Sequence, residues 1–190
     1  MYFFCVHRRY HMTKTEENLK AALSGESQAR AKYMKFAGAA TKEGHQAIAK
    51  TFQETAENEY EHAAMIMNLL GVAGSTADNL KAAASGEMHE WTSMYPEFLE
   101  QAKKDGNERA VKFFENIINI EQHHMKRYQL MLERLQKGTL YKSDKEEYWF
   151  CTNCGFLHKG KEAPKVCPNC LHPQGYFKRT TDLEYGAIEL

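Results

Sequence analysis

Two absences in the sequence exclude whole classes of partner. The 25 lysines and arginines equal the 25 aspartates and glutamates in number, so no net charge attracts nucleic acid or an anionic membrane surface. No apolar run approaches the roughly 18 residues that would cross a bilayer. The apolar stretch at 2–6 is shorter than the ~7–15 residues of a signal-peptide core. We therefore expect a cytoplasmic protein that binds neither nucleic acid nor membrane.

Cysteine is scarce and unevenly placed. Apart from Cys5, all the cysteines fall in two Cys-x-x-Cys pairs separated by 12 residues, namely Cys151, Cys154, Cys167 and Cys170. In a reducing compartment this spacing favours a metal site of four thiolates over disulfides. The segment 148–190 is also too short to fold reliably without a metal. Spacing alone does not choose between iron and zinc.

Changes in composition along the chain predict four segments. Residues 1–12 are an extension without helical periodicity, and we interpret Met12 as the natural start and 1–11 as a tail or start-site artefact. Helical patterning covers 13–137, a polar stretch at 138–147 reads as a linker, and 148–190 form the four-cysteine domain.

An internal duplication organises the helical region. Residues 19–26 (LKAALSGE) recur as 80–87 (LKAAASGE), with seven of eight positions identical at an offset of 61. Further along, matching residues such as Phe52 and Phe114 are separated by 62. Each copy reads as a helix, a glycine-containing turn and a second helix, so the sequence predicts an all-α four-helix bundle.

Apolar residues at spacings of three and four predict one core-facing stripe on each helix. Four glycines stand where these helices should end: Gly44, Gly71, Gly106 and Gly138. Pro96 lies inside the third helix, where we expect a kink or a local irregularity.

Ionisable residues interrupt these apolar stripes and predict a metal site. Two Glu-x-x-His pairs place a carboxylate and an imidazole on one helix face, and the first and third helices each add a glutamate. Unpaired carboxylates in a core would cost several kcal/mol each, so a cation is needed to neutralise them. Mixed oxygen and nitrogen ligands suit iron or manganese better than calcium. The predicted ligands are Glu26, Glu59, His62, Glu87, Glu121 and His124.

Glu90 breaks the symmetry of the duplication, because Ala29 is its counterpart. It follows Glu87 by three residues and is predicted as a seventh ligand, the alternative being a partner for a nearby arginine. Tyr33 and Tyr95 lie about two turns beyond Glu26 and Glu87. They are candidates to hydrogen-bond the ligating carboxylates, or else ordinary core aromatics.

From about Thr15 onward the chain resembles the rubrerythrin family. The motifs that carry this resemblance are SGESQAR at 24–30, EYEH at 59–62, GEMHE at 86–90, MYP at 94–96, EQHH at 121–124, CTNCG at 151–155 and CPNCLHP at 167–173. The resemblance implies a ferritin-like di-iron bundle followed by a small rubredoxin-like β/loop domain with one iron on four cysteines. It also implies bridging roles for Glu59 and Glu121, and alternation of His62 and Glu90 as ligands.

The resemblance further implies that hydrogen peroxide is reduced to water. Electrons would come through the four-cysteine iron from an NAD(P)H-dependent reductase, a rubredoxin or both, and the chain would form a homodimer or a higher oligomer. Two alternatives stay open: a ferroxidase or iron-handling protein, and a non-catalytic binding protein with a structural zinc ribbon.

Overall fold

The computed structural model describes residues 12–182. The segment 1–11, with Cys5 and the start-site interpretation, lies outside the described residues, as do residues 183–190. Within the described range, no helix combines the length and the apolar character needed to cross a membrane. The chain divides into two compact units between Gly74 and Ser75, inside the region 13–137 for which the sequence predicted one bundle domain.

The first unit is a helical hairpin and the second contains a further helical hairpin and a small sheet. The helices are α1 (Lys14–Lys42), α2 (Gln46–Leu69), α3 (Thr76–His89), α4 (Tyr95–Lys104) and α5 (Glu108–Gln136). The strands are β1 (Lys142–Cys151), β2 (Leu157–Glu162) and β3 (Phe177–Arg179). The predicted fold class, a helical bundle with a small C-terminal β/loop region, is confirmed.

In the first hairpin, α1 packs along α2. Thr13 starts α1 with a capping box, in which its hydroxyl accepts from the Glu16 backbone N–H and its own N–H donates to the Glu16 carboxylate. The buried side chains of this hairpin are all alanines (Ala37, Ala40, Ala49, Ala56 and Ala63), which lets the two helices approach closely. The larger apolar residues of the predicted stripes are half-buried or exposed.

In the second hairpin, α3 and α4 run as one interrupted helix against α5. The interruption is a turn of π-helix, Glu90–Met94, and Pro96 follows at the start of α4. The irregularity expected near Pro96 is therefore present. Glu121 and Met125 of α5 are buried in this unit.

The four glycines predicted to end helices all adopt the left-handed conformation, with φ between 62° and 84°. Each follows the last helical residue by two positions, where a left-handed residue lets backbone N–H groups reach the free carbonyls of the final turn.

The C-terminal sheet has the strand order β2-β1-β3, and both pairings are antiparallel. Strand β1 starts at Lys142, so it takes in the second half of the segment predicted as a linker. Those residues are polar and carry no alternating apolar signal. They enter the strand because Lys142 pairs with Glu162, before a register shift that ends at the Glu147–Gly160 pair.

Candidate metal centres

The first hairpin brings two carboxylates and an imidazole together. The Nδ1 atom of His62 lies 3.0 Å from a carboxylate oxygen of Glu59 and 3.8 Å from one of Glu26. Each of the three residues offers one ligand atom, and these three atoms lie within 4.8 Å of one another. The i, i+3 spacing on α2 aims Glu59 and His62 the same way, and α1 supplies Glu26.

The second hairpin repeats this arrangement. The Nδ1 atom of His124 lies 2.7 Å from Glu121 and 3.5 Å from Glu87, and the three ligand atoms again lie within 4.8 Å. The main difference is burial, because the His62 side chain is 56% exposed and that of His124 36%. Each hairpin thus carries three of the six predicted ligands on matching positions.

The glutamates in each group lack a full countercharge. The hydrogen bond that Glu26 shares with Glu59 raises the pKa of Glu26, and burial and the Glu59 charge act in the same direction. Burial is the largest cause that raises the pKa of Glu87, followed by its hydrogen bond with Glu121. A divalent cation would remove this repulsion, and two carboxylates with one imidazole are ligands that suit iron. The residues present therefore fit the metal.

Four cysteine sulfurs form the third group. The Sγ–Sγ distances are 3.7 Å for Cys151–Cys170 and 3.7 Å for Cys154–Cys167. A disulfide would be about 2.05 Å, whereas tetrahedral metal–sulfur bonds of ~2.3 Å place sulfurs about 3.8 Å apart. The four cysteines are free thiols spaced for one metal ion.

Two equivalent turns hold these sulfurs. In the first, the Gly155 N–H donates to the Cys151 carbonyl, and in the second the Leu171 N–H donates to the Cys167 carbonyl, both at 2.9 Å. Gly155 and Leu171 both have positive φ, 79° and 60°. The repeated turn aims both cysteines of each pair at a common centre.

The centre lies on a small apolar core. Trp149 is fully buried and its Nε1 donates to the Gly160 carbonyl at 2.8 Å. Phe177 is also buried, and the Arg179 guanidinium lies over the Trp149 ring, 5.2 Å from its centre. This packing excludes water from Cys151 and Cys167, which are fully buried.

Known protein families match both the helical region and the four-cysteine domain. The rubrerythrin family model matches residues 17–132, and the model described as the rubrerythrin rubredoxin-like domain matches 149–178. The chain belongs to the rubrerythrin family. Three relatives named rubrerythrin or rubrerythrin-1 illustrate the likeness. That of Porphyromonas gingivalis is 43% identical, covering 87% of this chain and 90% of the relative. Those of Clostridium acetobutylicum and Nitratidesulfovibrio vulgaris are 40% and 37% identical, each covering 87% of this chain and 94% of the relative.

Family membership confirms the predicted cofactors. A rubrerythrin has a carboxylate-bridged pair of iron ions and a single iron on four cysteines, and this chain presents donor groups for both. When bound, the iron pair supplies two-electron redox chemistry and the cysteine iron supplies one-electron transfer.

Glu90 lies on the π-helical turn, next to the second group of ligands. Its charge contributes to raising the pKa of Glu87 and of Tyr95. The π-turn also accounts for the change of offset in the duplication. Glu26 and Glu87 are 61 positions apart, whereas Tyr33 and Tyr95 are 62 apart. One residue has been inserted between these points, and the wider turn absorbs it.

Because the π-turn absorbs the extra residue, the two tyrosines keep equivalent places. Tyr33 packs against Phe36 and Phe52 with ring centres 6.2 Å away in both cases. Tyr95 packs against their counterparts Phe98 and Phe114 at 6.3 and 6.0 Å. Burial is the largest cause that raises the pKa of Tyr95, and the charges of nearby glutamates, Glu90 among them, add to it. Tyr95 therefore keeps its phenolic proton.

One residue of the cysteine site was missed by sequence reasoning. The Asn169 side chain hydrogen-bonds the thiol of Cys154, and together with the Phe156 backbone it lowers the pKa of Cys154 to about 6. Asn169 precedes the last cysteine of the second Cys-x-x-Cys pair, and Asn153 occupies the same position in the first pair. The sequence therefore offered no way to tell which one bonds a sulfur.

Proposed function

We propose that this protein is a peroxidase that reduces hydrogen peroxide to water at its di-iron site. One peroxide takes up two electrons and two protons and yields two water molecules. What carries the proposal is that one chain holds two matching groups of carboxylates and imidazole as well as a four-thiolate site. The two carboxylate and imidazole groups suit a two-electron reaction, and the four-thiolate site suits delivery of single electrons.

The ligand roles follow the duplication. We assign Glu59 and Glu121 as bridging ligands, Glu26 and Glu87 as terminal ligands, and the Nδ1 atoms of His62 and His124 as nitrogen ligands. Their support is the pairing of each Nδ1 atom with the glutamate one turn earlier, at 3.0 and 2.7 Å.

Glu90 makes the two halves of the site unequal. We propose that Glu90 and His62 are alternative ligands in the oxidised and reduced states. His62 is the more exposed histidine, and Glu90 is the carboxylate that the duplication lacks in its first copy. Tyr95 holds its proton beside Glu90, so its hydroxyl is available to donate a hydrogen bond to a ligating carboxylate.

The four cysteines would pass electrons from an external reductase, a rubredoxin or both. The hydrogen bond from Asn169 to Cys154 stabilises the thiolate, which favours the more negative, reduced form of a metal–thiolate centre. We propose that this reaction serves in oxidative-stress defence. The cytoplasmic location stays a prediction.

An anaerobic titration tests this function. Fully reduced protein holds three electrons per chain, so about 1.5 equivalents of peroxide should oxidise both centres completely. The variant Glu121→Ala should reoxidise its cysteine centre far more slowly. Glu61→Ala is the control, since Glu61 lies on α2 between the predicted ligands Glu59 and His62 but is exposed. If peroxide reoxidises the wild-type centres only slowly, and the protein rapidly oxidises many equivalents of ferrous ion in air, the result would instead favour a ferroxidase.

A further inference from the structure

We infer that Trp91 is a positioning residue, which fixes Glu90 beside the second group of ligands by anchoring the π-turn to α5. This inference rests on the role of Glu90 in the proposed function. Its basis is a hydrogen bond in which the Trp91 indole Nε1 donates to the sulfur of Met125, at 3.3 Å. Trp91 directly follows Glu90, and Met125 directly follows the predicted ligand His124. The bond therefore joins the π-turn to α5 next to both groups.

The backbone alone holds the π-turn weakly. The Tyr95 N–H donates to the Glu90 carbonyl, five residues earlier, as a π-helix requires. Pro96 has no N–H, so the next backbone bond is missing whether the helix continues in α or in π register. The Thr92 hydroxyl adds a bond to the Met88 carbonyl. Side-chain bonds therefore have a large share in fixing how this turn is wound.

The winding of the π-turn determines where the Glu90 carboxylate lies. Glu90 is the first residue of the turn and follows the predicted ligand Glu87 by three positions. Because an α-helix turns by about 100° per residue, a slip of one residue would move the side chain to another face. The Glu90 charge contributes to raising the pKa of both Glu87 and Tyr95, so its carboxylate lies near these groups. Trp91, bonded to α5 one residue later, resists such a slip.

The duplication links the anchor to Glu90. At the offsets of the repeat, Arg30 is the counterpart of Trp91 and Ala63 is the counterpart of Met125. Ala63 is buried and its methyl group cannot accept a hydrogen bond, so this pair cannot form the same contact. Helix α1 also continues without interruption from Lys14 to Lys42. The anchor, the π-turn and the extra glutamate thus occur together in one copy of the repeat, as expected if the bond serves that glutamate.

Hydrogen exchange of the full chain, read by mass spectrometry, tests the anchor independently of activity. Trp91→Phe removes the donor but keeps an aromatic ring, and Met125→Leu removes the acceptor at similar volume. Each should speed exchange of the π-turn amides by about 2–5-fold, the factor expected for losing one weak neutral hydrogen bond. The double variant should exchange no faster than either single variant, because both lose the same bond.

Met88→Leu is the matched control for this measurement. Met88 is an exposed methionine two residues before Glu90, and its substitution should leave the π-turn amides unchanged. Exchange that neither Trp91→Phe nor Met125→Leu alters, or that rises additively in the double variant, would overturn the inference. Equal acceleration in peptides from α2 would also overturn it, since it would report a general loss of stability.

Peroxide turnover tests whether the anchor acts through Glu90. Trp91→Phe should keep the iron content and slow reoxidation by peroxide about 2–5-fold in stopped-flow measurements. The same substitution in the Glu90→Ala variant should have no further effect, because the group that it positions is gone. Equal slowing in both backgrounds would overturn the inference, since Trp91 would then act on another part of the protein.

Failure of the proposed function would be distinguishable from failure of this inference. Wild-type turnover in Glu90→Ala would refute the proposed role of Glu90 as a ligand. Hydrogen exchange would still decide whether Trp91 anchors the π-turn, because that measurement does not depend on the chemistry of Glu90.

Discussion

Replacing one carboxylate of the di-iron site should stabilise the metal-free protein. Glu87 and Glu121 have oxygens within 4.8 Å of each other, and their side chains are only 20% and 10% exposed. At that separation and an effective dielectric constant of about 20, two ionised carboxylates repel by about 3.5 kcal/mol. The protein can avoid this by protonating Glu87, but holding a glutamate with a usual pKa near 4.5 protonated at pH 7 costs about 3.4 kcal/mol.

His124 offsets part of this cost through its contact with Glu121 at 2.7 Å. We therefore expect Glu87→Gln to raise the free energy of unfolding of metal-free protein at pH 7 by about 1–2 kcal/mol. Folding raises the pKa of Glu87. Protonation of Glu87 therefore stabilises the folded state at pH values below the usual glutamate pKa, and this stabilisation is lost as pH rises through the raised pKa. The gain from Glu87→Gln should accordingly vanish near pH 4.5.

Urea unfolding of chelator-treated protein, followed by helical circular dichroism at pH 4.5 and pH 7, measures this difference. A gain of 1–2 kcal/mol corresponds to a shift in midpoint of about 0.5–1 M. Glu61→Gln is the control and should not change the midpoint at either pH. A variant that is less stable at pH 7, or equally stabilised at both pH values, would refute the electrostatic reasoning.

Three further predictions concern single side chains. Glu90→Ala should keep the iron but slow peroxide turnover by about 10-fold or more, measured by stopped-flow, because the second ligand state is lost. Asn169→Ala should lower the reduction potential of the cysteine iron by about 40 mV in a redox titration, because a hydrogen bond worth ~1 kcal/mol to the reduced centre disappears. Trp149→Phe should destabilise the cysteine domain by about 2–4 kcal/mol in thermal unfolding, because it leaves the Gly160 carbonyl unsatisfied and opens a cavity.

Each of these has a matched control. Glu97→Ala, one residue beyond Pro96 and exposed, should leave turnover unchanged. Asn153→Ala, in the equivalent place of the other cysteine turn, should leave the potential unchanged, and an equal shift from both asparagines would contradict the specific bond. Tyr148→Phe alters an exposed neighbour of Trp149 and should change stability by less than about 0.5 kcal/mol.

The parts of the fold that depend on local patterns were predictable from the sequence. The helix ends at Gly44 and Gly106 follow from a single conformational property of glycine. The grouping of Glu59 with His62 follows from their spacing on one helix. The cysteine cluster follows equally from the spacing of its two pairs.

Features set by pairing or packing were harder to predict. Lys142 enters a strand because it pairs with Glu162. The residue pattern within β1 does not predict this pairing. The π-turn did leave a signal, since the repeat offset changes from 61 to 62 after Glu87, but its type follows only from the backbone.

The most direct test of the account is a stopped-flow visible spectrum of anaerobically reduced protein mixed with hydrogen peroxide, with dioxygen as the comparison. The red colour of the ferric four-cysteine centre should return much faster with peroxide, through electron flow to the carboxylate site. Equal rates with both oxidants would contradict peroxidase function. A centre that never becomes coloured would show that the four cysteines hold zinc, and electron delivery through them would then be ruled out.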